Sequence, residues 1–325
     1  MKPMIGFLFA WLGIFSASES PAPFPLPPPS IDLRWLEVDS VRSLPISALH
    51  PSQGKIGRAD VFRRVDKMIE QLDGSPIEDV PHLLAEYQSQ LDYVEFPCTV
   101  MPDGACWVSD GHHRTSTFAW IEFFQEVHGT FKIPVRIEEN YSELSWVDAV
   151  TRLIETNRIY LRPEVRSRFD ELMVAPMSEE ARHLELQKLI ESEIPRDFKQ
   201  ISDDPLRAAV GEVLDQLLRG IPTINFVEFY VGEMVRKAYF LDQSAGLNKW
   251  IKQCPTELVE HDCVQLKPKR FRKVSQLILY DPTMIHRMIE SIREACRASI
   301  HNGDESLYLK LFLKRLRLAR QNLVR

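Results

Sequence analysis

The rhythm of apolar and polar positions changes near Asn140. Before it, short apolar runs are broken by Pro, Gly and Asp. After it, apolar residues recur mostly three and four apart, as helices require. Val41 to Leu49 reads as a short strand leading into a turn at His50-Pro51-Ser52. Val61, Val65, Met68, Ile69 and Leu72 fall on one face of a helix that Asp60 can cap. Val94 to Met101 and Ala105 to Ser109 form a hairpin about Pro102-Asp103-Gly104. Thr115 to Val127 has helical spacing at Phe118, Ile121, Phe124 and Gln125, and Ile133 to Ile137 is a further strand. Ser142 caps a helix through Leu153, and helical patterns follow around 164–175, 178–191, 205–219, 225–240, 283–300 and 306–323. Asp204-Pro205 is a strong helix start, with Asp at the cap and Pro in the first turn. No fixed-period repeat is present. The expected fold class is α+β: a small mixed-sheet unit over 33–140, then a mainly helical region covering 141–245 and a basic helical extension, 246–325.

Composition adds bounds to this pattern. At 325 residues, 44% hydrophobic and 26% charged, the chain has the make-up of a soluble globular protein with one large domain or two smaller ones. Its net charge of -6 excludes a globally basic, nucleic-acid-like balance. The first eighteen residues differ: Lys2 precedes an apolar run from Met4 to Phe15, and Ser16-Ala17-Ser18 offers small side chains for signal-peptidase cleavage. The run is short for a membrane span, so residues 1–18 read as a cleaved signal peptide and the product as secreted or periplasmic. Residues 19–32, containing PAPFPLPPPS, form a proline-rich spacer. The five cysteines lack C-x-x-C spacing, which argues against a zinc ribbon. Cys98 and Cys106 flank the hairpin turn without standing directly opposite, and buried thiols are the expectation.

The chemistry concentrates at WVSDGHHRTSTFAW, residues 107–120, where a strand gives way to a helix. Gly111 suits a turn with positive φ. A helix beginning at His112 offers free backbone N–H groups and the positive end of its dipole. Arg114 adds a rigid multi-donor cation, and the Thr115 and Ser116 hydroxyls add donors, so the junction suits phosphate. His112 or His113 can move a proton near neutral pH, with Asp110 orienting it or holding a divalent cation, Mg²⁺ or Mn²⁺. Capping alone also explains polar residues at a helix start. Adjacent helical histidines point roughly 100° apart, which disfavours a shared zinc.

These residues resemble the signature of the ParB/sulfiredoxin superfamily, in which a strand, a Gly turn and a basic helix start form a nucleotide-phosphate pocket. Two further segments resemble its ParB-like nuclease branch, many of whose members look exported. LPISALHPSQGKIGRADVF (44–62) is similar to L-x-P-T-Q-x-x-V-G. SDDPLRAAVGEVL (202–214) and FVEFYVGEMVRKAYF (226–240) are similar to D-D-P-Y-R-S-L-A and E-F-x-W-A-D-F-x-R. The resemblance spans about 34–240. It departs at Gly111, where the branch more often has Arg, at Leu206 for Tyr, and at Val231-Gly232-Glu233-Met234 for Trp-Ala-Asp-Phe.

The resemblance implies a ParB/sulfiredoxin-like α/β unit and a phosphodiesterase or nuclease activity on a nucleotide or nucleic acid. Asp110, His112 and His113 would be catalytic, and Gly111, Arg114, Thr115 and Ser116 would hold phosphate. His50, Gln53, Asp203, Asp204 and Arg207 are candidates to converge on the pocket, though Asp203, Asp204 and Arg207 equally suit capping and bracing. A sulfiredoxin reaction would need a cysteine where His112 stands. A ParB-like CTP switch would usually have Glu-Arg-Arg after the glycine. A free-serine kinase shares Asp-Gly-His-His-Arg but would need a carboxylate near Ser52-Gln53. The non-enzymatic alternative is a binding or effector protein on the same scaffold. The basic segments KPKRFRK (267–273) and KLFLKRLRLARQNLVR (310–325) would then face an anionic surface, or simply form the solvated side of a packed helix.

Overall fold

The computed structural model describes residues 32–73, 80–92, 95–126, 129, 131–239, 241, 244–254, 263–298 and 305–324. The expected signal peptide and nearly all of the spacer lie outside the described residues. The first unit begins with β1 (Val41–Pro45), a single 3-10 turn, β2 (Leu49–Pro51) and β3 (Lys55–Ile56). Helices α1 (Arg58–Asp73) and α2 (Val80–Asp92) follow, then β4 (Phe96–Val100), β5 (Cys106–Val108), α3 (His112–Phe124) and β6 (Lys132–Asn140). Five strands make one mixed sheet in the order β1-β6-β4-β5-β2. β4 and β5 form the expected antiparallel hairpin, while β2 joins β5 and β4 joins β6 in parallel. Ile133, Val135 and Ile137 alternate along β6 and are fully buried in the same core as Val61, Phe62 and Val65 of α1 and Ile121 of α3.

Three helices come next: α4 (Trp146–Glu155), α5 (Pro163–Val174) and α6 (Glu179–Glu193). They close over the hairpin end, where Met101 and Ala105 share a core with Val150, Phe169 and Leu186. The short strand β7 (Ser202–Asp203) pairs with β3 and leads into α7 (Pro205–Leu218). α8 (Val227–Ala238), α9 (Ser244–Asn248), β8 (Ile251–Gln253) and β9 (Val264–Leu266) precede α10 (Pro268–Tyr280), α11 (Pro282–Ala298) and α12 (Glu305–Val324). Val210 and Leu217 of α7 and Val231 of α8 share one core with Ile278, Met288 and Phe312, so residues on both sides of position 245 pack together. The α+β class is as expected.

Several local expectations are corrected. The first helix begins at Arg58, and Asp60 sits in its first turn, paired with Arg63 and Arg64 rather than capping. α3 begins at His112, as the strand-to-helix junction implies, rather than at Thr115 where the apolar helical spacing starts. Ser145, not Ser142, caps α4, its side chain accepting from the Asp148 N–H. The cysteines also differ from the buried-thiol expectation: Cys98 pairs with Cys106 and Cys254 with Cys263, leaving Cys296 free. Cys98 stands opposite Val108 and Cys106 opposite Val100, so the two cysteines are diagonal neighbours on one sheet face. Their Cα atoms are 6.0 Å apart, within disulfide reach.

Candidate active site

The strand-to-helix turn is built around Gly111. Its φ of 86° lies in the left-handed region, and a Cβ there would stand 2.3 Å from the Phe96 ring. The turn therefore requires glycine twice over. Asp110 accepts the Gly111 N–H through its own side chain at 2.6 Å. No side chain caps α3, and its first helical bond runs from the Thr115 N–H to Gly111 O. The N–H groups of His112, His113 and Arg114 precede that bond and so have no helical acceptor. Arg114 is exposed above them, its guanidinium 5.2 Å from the centre of the Phe96 ring.

The two histidines differ in role. His112 is 3% exposed, and its Nε2 accepts the Ser52 backbone N–H at 3.0 Å. The ring proton therefore sits on Nδ1, and the ring's other hydrogen bond is to the backbone of Val108. Burial, with the nearby Arg207 charge, holds this imidazole neutral, well below the usual histidine range. His112 thus ties the segment after β2 to the end of β5. His113 is half-buried and lines an open cleft. Burial and the charges of Arg207 and Arg64 keep it neutral too: a ring nitrogen keeps its lone pair, while the same burial and charges oppose protonation until an anionic phosphate offsets them.

The cleft has a volume of about 1280 Å³ and lies between α1, the start of α3, and helices α7, α8 and α10. Gln53, Asp110, His113, Arg114, Arg207 and Glu228 share its wall. Arg207 is 5% exposed and organises this wall. Its guanidinium donates to Lys55 O (2.7 Å), to Gln53 Oε1 (3.3 Å) and to Glu228 Oε1 (2.8 Å), and lies 4.0 Å over the Phe229 ring. Gln53 is 1% exposed, and its Nε2 has no hydrogen-bond partner. Asp110 is exposed at the cleft mouth; desolvation by the surrounding protein raises its carboxyl above the ordinary range, and Glu228 adds to the rise against the Gly111 N–H, Arg114 and Arg207.

The other expected residues divide. Thr115 and Ser116 are buried and turn their hydroxyls onto backbone carbonyls, Gly111 O at 3.2 Å and Phe198 O at 3.2 Å, rather than into the cleft. His50 does not converge with them: it pairs beside Trp107 and lines a separate small cavity with Asp103 and Arg196. Burial pushes its pKa down to about 4. Asp204 caps α7, accepting the Leu206 and Arg207 N–H groups at 3.1 Å each, and pairs with Arg236. Asp203 accepts the Arg58 and Val264 N–H groups and braces α1 against β9. Neither aspartate lines the cleft. Among the described residues, no three His, Cys, Asp or Glu side chains gather as a metal-ligand set.

Sequence reasoning did not single out Glu228 or the α1 cations Arg63, Arg64 and Lys67, all of which line the cleft. Glu228 opens the E-F-x segment of 226–240, and Arg236 closes it. Those two positions meet Arg207 and Asp204 of the D-D-P segment through two ion pairs, Arg207–Glu228 and Arg236–Asp204. The segments that resemble a family are thus physically joined, and the Arg207–Glu228 pair stands in the cleft wall.

This arrangement is that of an α+β protein with an uncapped helix start, after β5, opening onto a charged cleft. A family model described as "Putative ParB-like nuclease" matches residues 42–237, and the chain belongs to that family. Among solved structures it is similar to protein Atu1540 from Agrobacterium tumefaciens, at 15% identity, over 76% of this chain and 94% of that one, with a TM-score of 0.43. No curated protein matches the chain.

Proposed function

We propose that this ParB-like protein is an exported phosphodiester hydrolase acting on a nucleotide or nucleic acid. The observation that carries the reading is His113. It is held neutral at the cleft wall, beside Arg114 and the N–H groups that open α3. Arg114 and those N–H groups hold the phosphate and stabilise charge developing on its oxygens. His113 accepts a proton from the attacking water as its oxygen bonds to phosphorus and the P–O bond to the leaving alcohol breaks, the leaving oxygen taking up a proton from solvent. His112 is a positioning residue here, because both of its ring nitrogens are engaged with backbone. Asp110 and Glu228 both line the cleft, and Glu228 is already paired with Arg207 at 2.8 Å, which leaves Asp110 to meet a cation. A Mg²⁺ or Mn²⁺ ion would be held there by Asp110 and substrate phosphate oxygens and would supply Lewis-acid stabilisation.

Two features support export. The first eighteen residues have the signal-peptide pattern, and paired cysteines are what an oxidising compartment maintains. Purified protein is assayed on DNA, RNA and nucleotides, with and without Mg²⁺ or Mn²⁺, beside His113→Ala and Arg114→Ala. Loss of hydrolysis in both variants supports the site. Equal rates in wild type and variants would remove it, and ligand binding without turnover in any protein would favour a non-catalytic scaffold. Fractionation of cells making the chain with and without residues 1–18 tests the compartment.

A further inference from the structure

The charge of this chain is unevenly placed. Residues 267–325 carry 14 Lys and Arg against five Asp and Glu, a net +9, in a chain whose total is -6. The family match ends at residue 237, so this basic region lies beyond it. The structure folds it into helices that share a core with α7 and α8, the helices that wall the cleft.

Helix packing sorts the cations of α12. Phe312 and Leu316 are buried, while Lys310, Lys314 and Arg317 are all exposed at intervals of four and three. That spacing sets them in one stripe along about 10 Å of helix. The only carboxylate in α12, Glu305, is paired with Arg293. Helix α10 has no carboxylate at all and exposes Lys269, Arg272 and Lys273 on one side. The Arg272 guanidinium donates to Leu323 O of α12 at 3.1 Å, which places the two basic faces next to each other. At its start, α10 also reaches the cleft, where Pro268 and Phe271 form part of the wall.

We infer that the exposed face of α10 and α12 binds the phosphate backbone of a polynucleotide that extends out of the cleft. This goes beyond the hydrolase reading, since it assigns a partner to a surface outside the family region and favours a polymer over a mononucleotide. A bilayer fits the face less well. The exposed Leu313 and Leu318 stand about 140° apart, on opposite flanks of the cationic stripe, and so do not form the single apolar face that lipid insertion needs. The basic face starts on α10, whose Pro268 and Phe271 line the cleft, so a long, regularly charged ligand leaving the cleft would meet it.

The test is binding without turnover, so it stands apart from the hydrolase reading. Full-length protein in EDTA is titrated into fluorescein-labelled 20-nucleotide single-stranded and 20-base-pair duplex DNA at several salt concentrations, using anisotropy. Wild type is compared with Lys310→Ala/Lys314→Ala/Arg317→Ala and with Lys269→Ala/Lys273→Ala. All five side chains are exposed, and unchanged far-ultraviolet dichroism checks the fold. The triple variant is expected to lose about tenfold or more in affinity near 100 mM salt and to flatten the log–log salt slope by about 2 to 3. The α10 variant, on a separate helix, is expected to shift both in the same direction. Unchanged affinity and slope in both variants would overturn the inference. It would also fail if wild type ignored the oligonucleotides but sedimented with phosphatidylglycerol vesicles in a way the triple variant lost.

Discussion

The backbone N–H of Ser52 donates to Nε2 of His112 across 60 residues of sequence, at 3.0 Å. That bond separates two adjacent histidines that look alike in the sequence. His112→Ala removes an acceptor from a buried N–H and leaves a cavity beside Phe198, whose ring centre lies 5.9 Å from that of His112. A loss of about 2–3 kcal/mol of stability is expected. His113→Ala removes a half-buried ring at the cleft wall and should cost under about 1 kcal/mol while abolishing hydrolysis. Urea unfolding and activity assays on the two variants measure the split. Equal destabilisation by both would show that the histidines share one structural role.

Much of this site was legible in the sequence, and the parts that were not have physical causes. The Asp-Gly turn, the hairpin and the Asp204 cap are local chemistry, and the structure places each where the residues imply. His50 was misplaced because strand side chains alternate: in β2 it is directed to the Trp107 side, away from the cleft. Glu228 was missed because its importance arises only when α8 docks over α7 and brings it to Arg207. Helix α10 was missed because KPKRFRK reads as a solvated charge run, and its buried Val274, Ile278 and Leu279 lie in the second half.

The Arg236–Asp204 pair should behave as a buried coupling rather than as a surface ion pair. The two side chains are 12% and 7% exposed. Burial alone would raise the Asp204 carboxyl, but Arg236, Lys55 and the Arg207 N–H bring it below the ordinary range. Arg236→Met is expected to cost roughly 3–5 kcal/mol, because it strands a buried carboxylate. Adding Asp204→Asn should recover a large part of that loss, since asparagine still caps α7 through the Leu206 and Arg207 N–H groups. A thermodynamic double-mutant cycle measures this. Additive effects would mean the pair contributes nothing beyond its separate residues.

The cysteine pairing gives a chemical count. The chain has five cysteines, and the structure pairs four of them. Protein made in an oxidising compartment, then unfolded in guanidinium, should show one reactive thiol per chain, Cys296, and five after reduction. Peptide mapping without reductant should recover the Cys254–Cys263 link. Replacing both with serine is expected to cost roughly 2–3 kcal/mol, the scale for closing so short a loop. Five free thiols before reduction would count against both pairings.

Asp203 makes the stability of the fold depend on pH in a direction opposite to that of most carboxylates. Burial pushes its pKa from the ordinary 3.8 up to about 6, against the Val264 and Arg58 N–H groups that it accepts. Between those two values the folded chain binds a proton that the unfolded chain has released. The stabilising effect of that proton is complete below pH 3.8 and is lost as the pH rises through about 6. Asp203→Asn cannot titrate, so the stability difference between wild type and variant isolates this group whatever the constant offset. Wild type should lose ground to the variant steadily from pH 4 to 7, by at most about 3 kcal/mol, and then level off. Urea midpoints at half-unit pH steps measure the curve. A difference that stayed flat over that range would mean that Asp203 is ionised throughout, held by its two N–H donors despite burial.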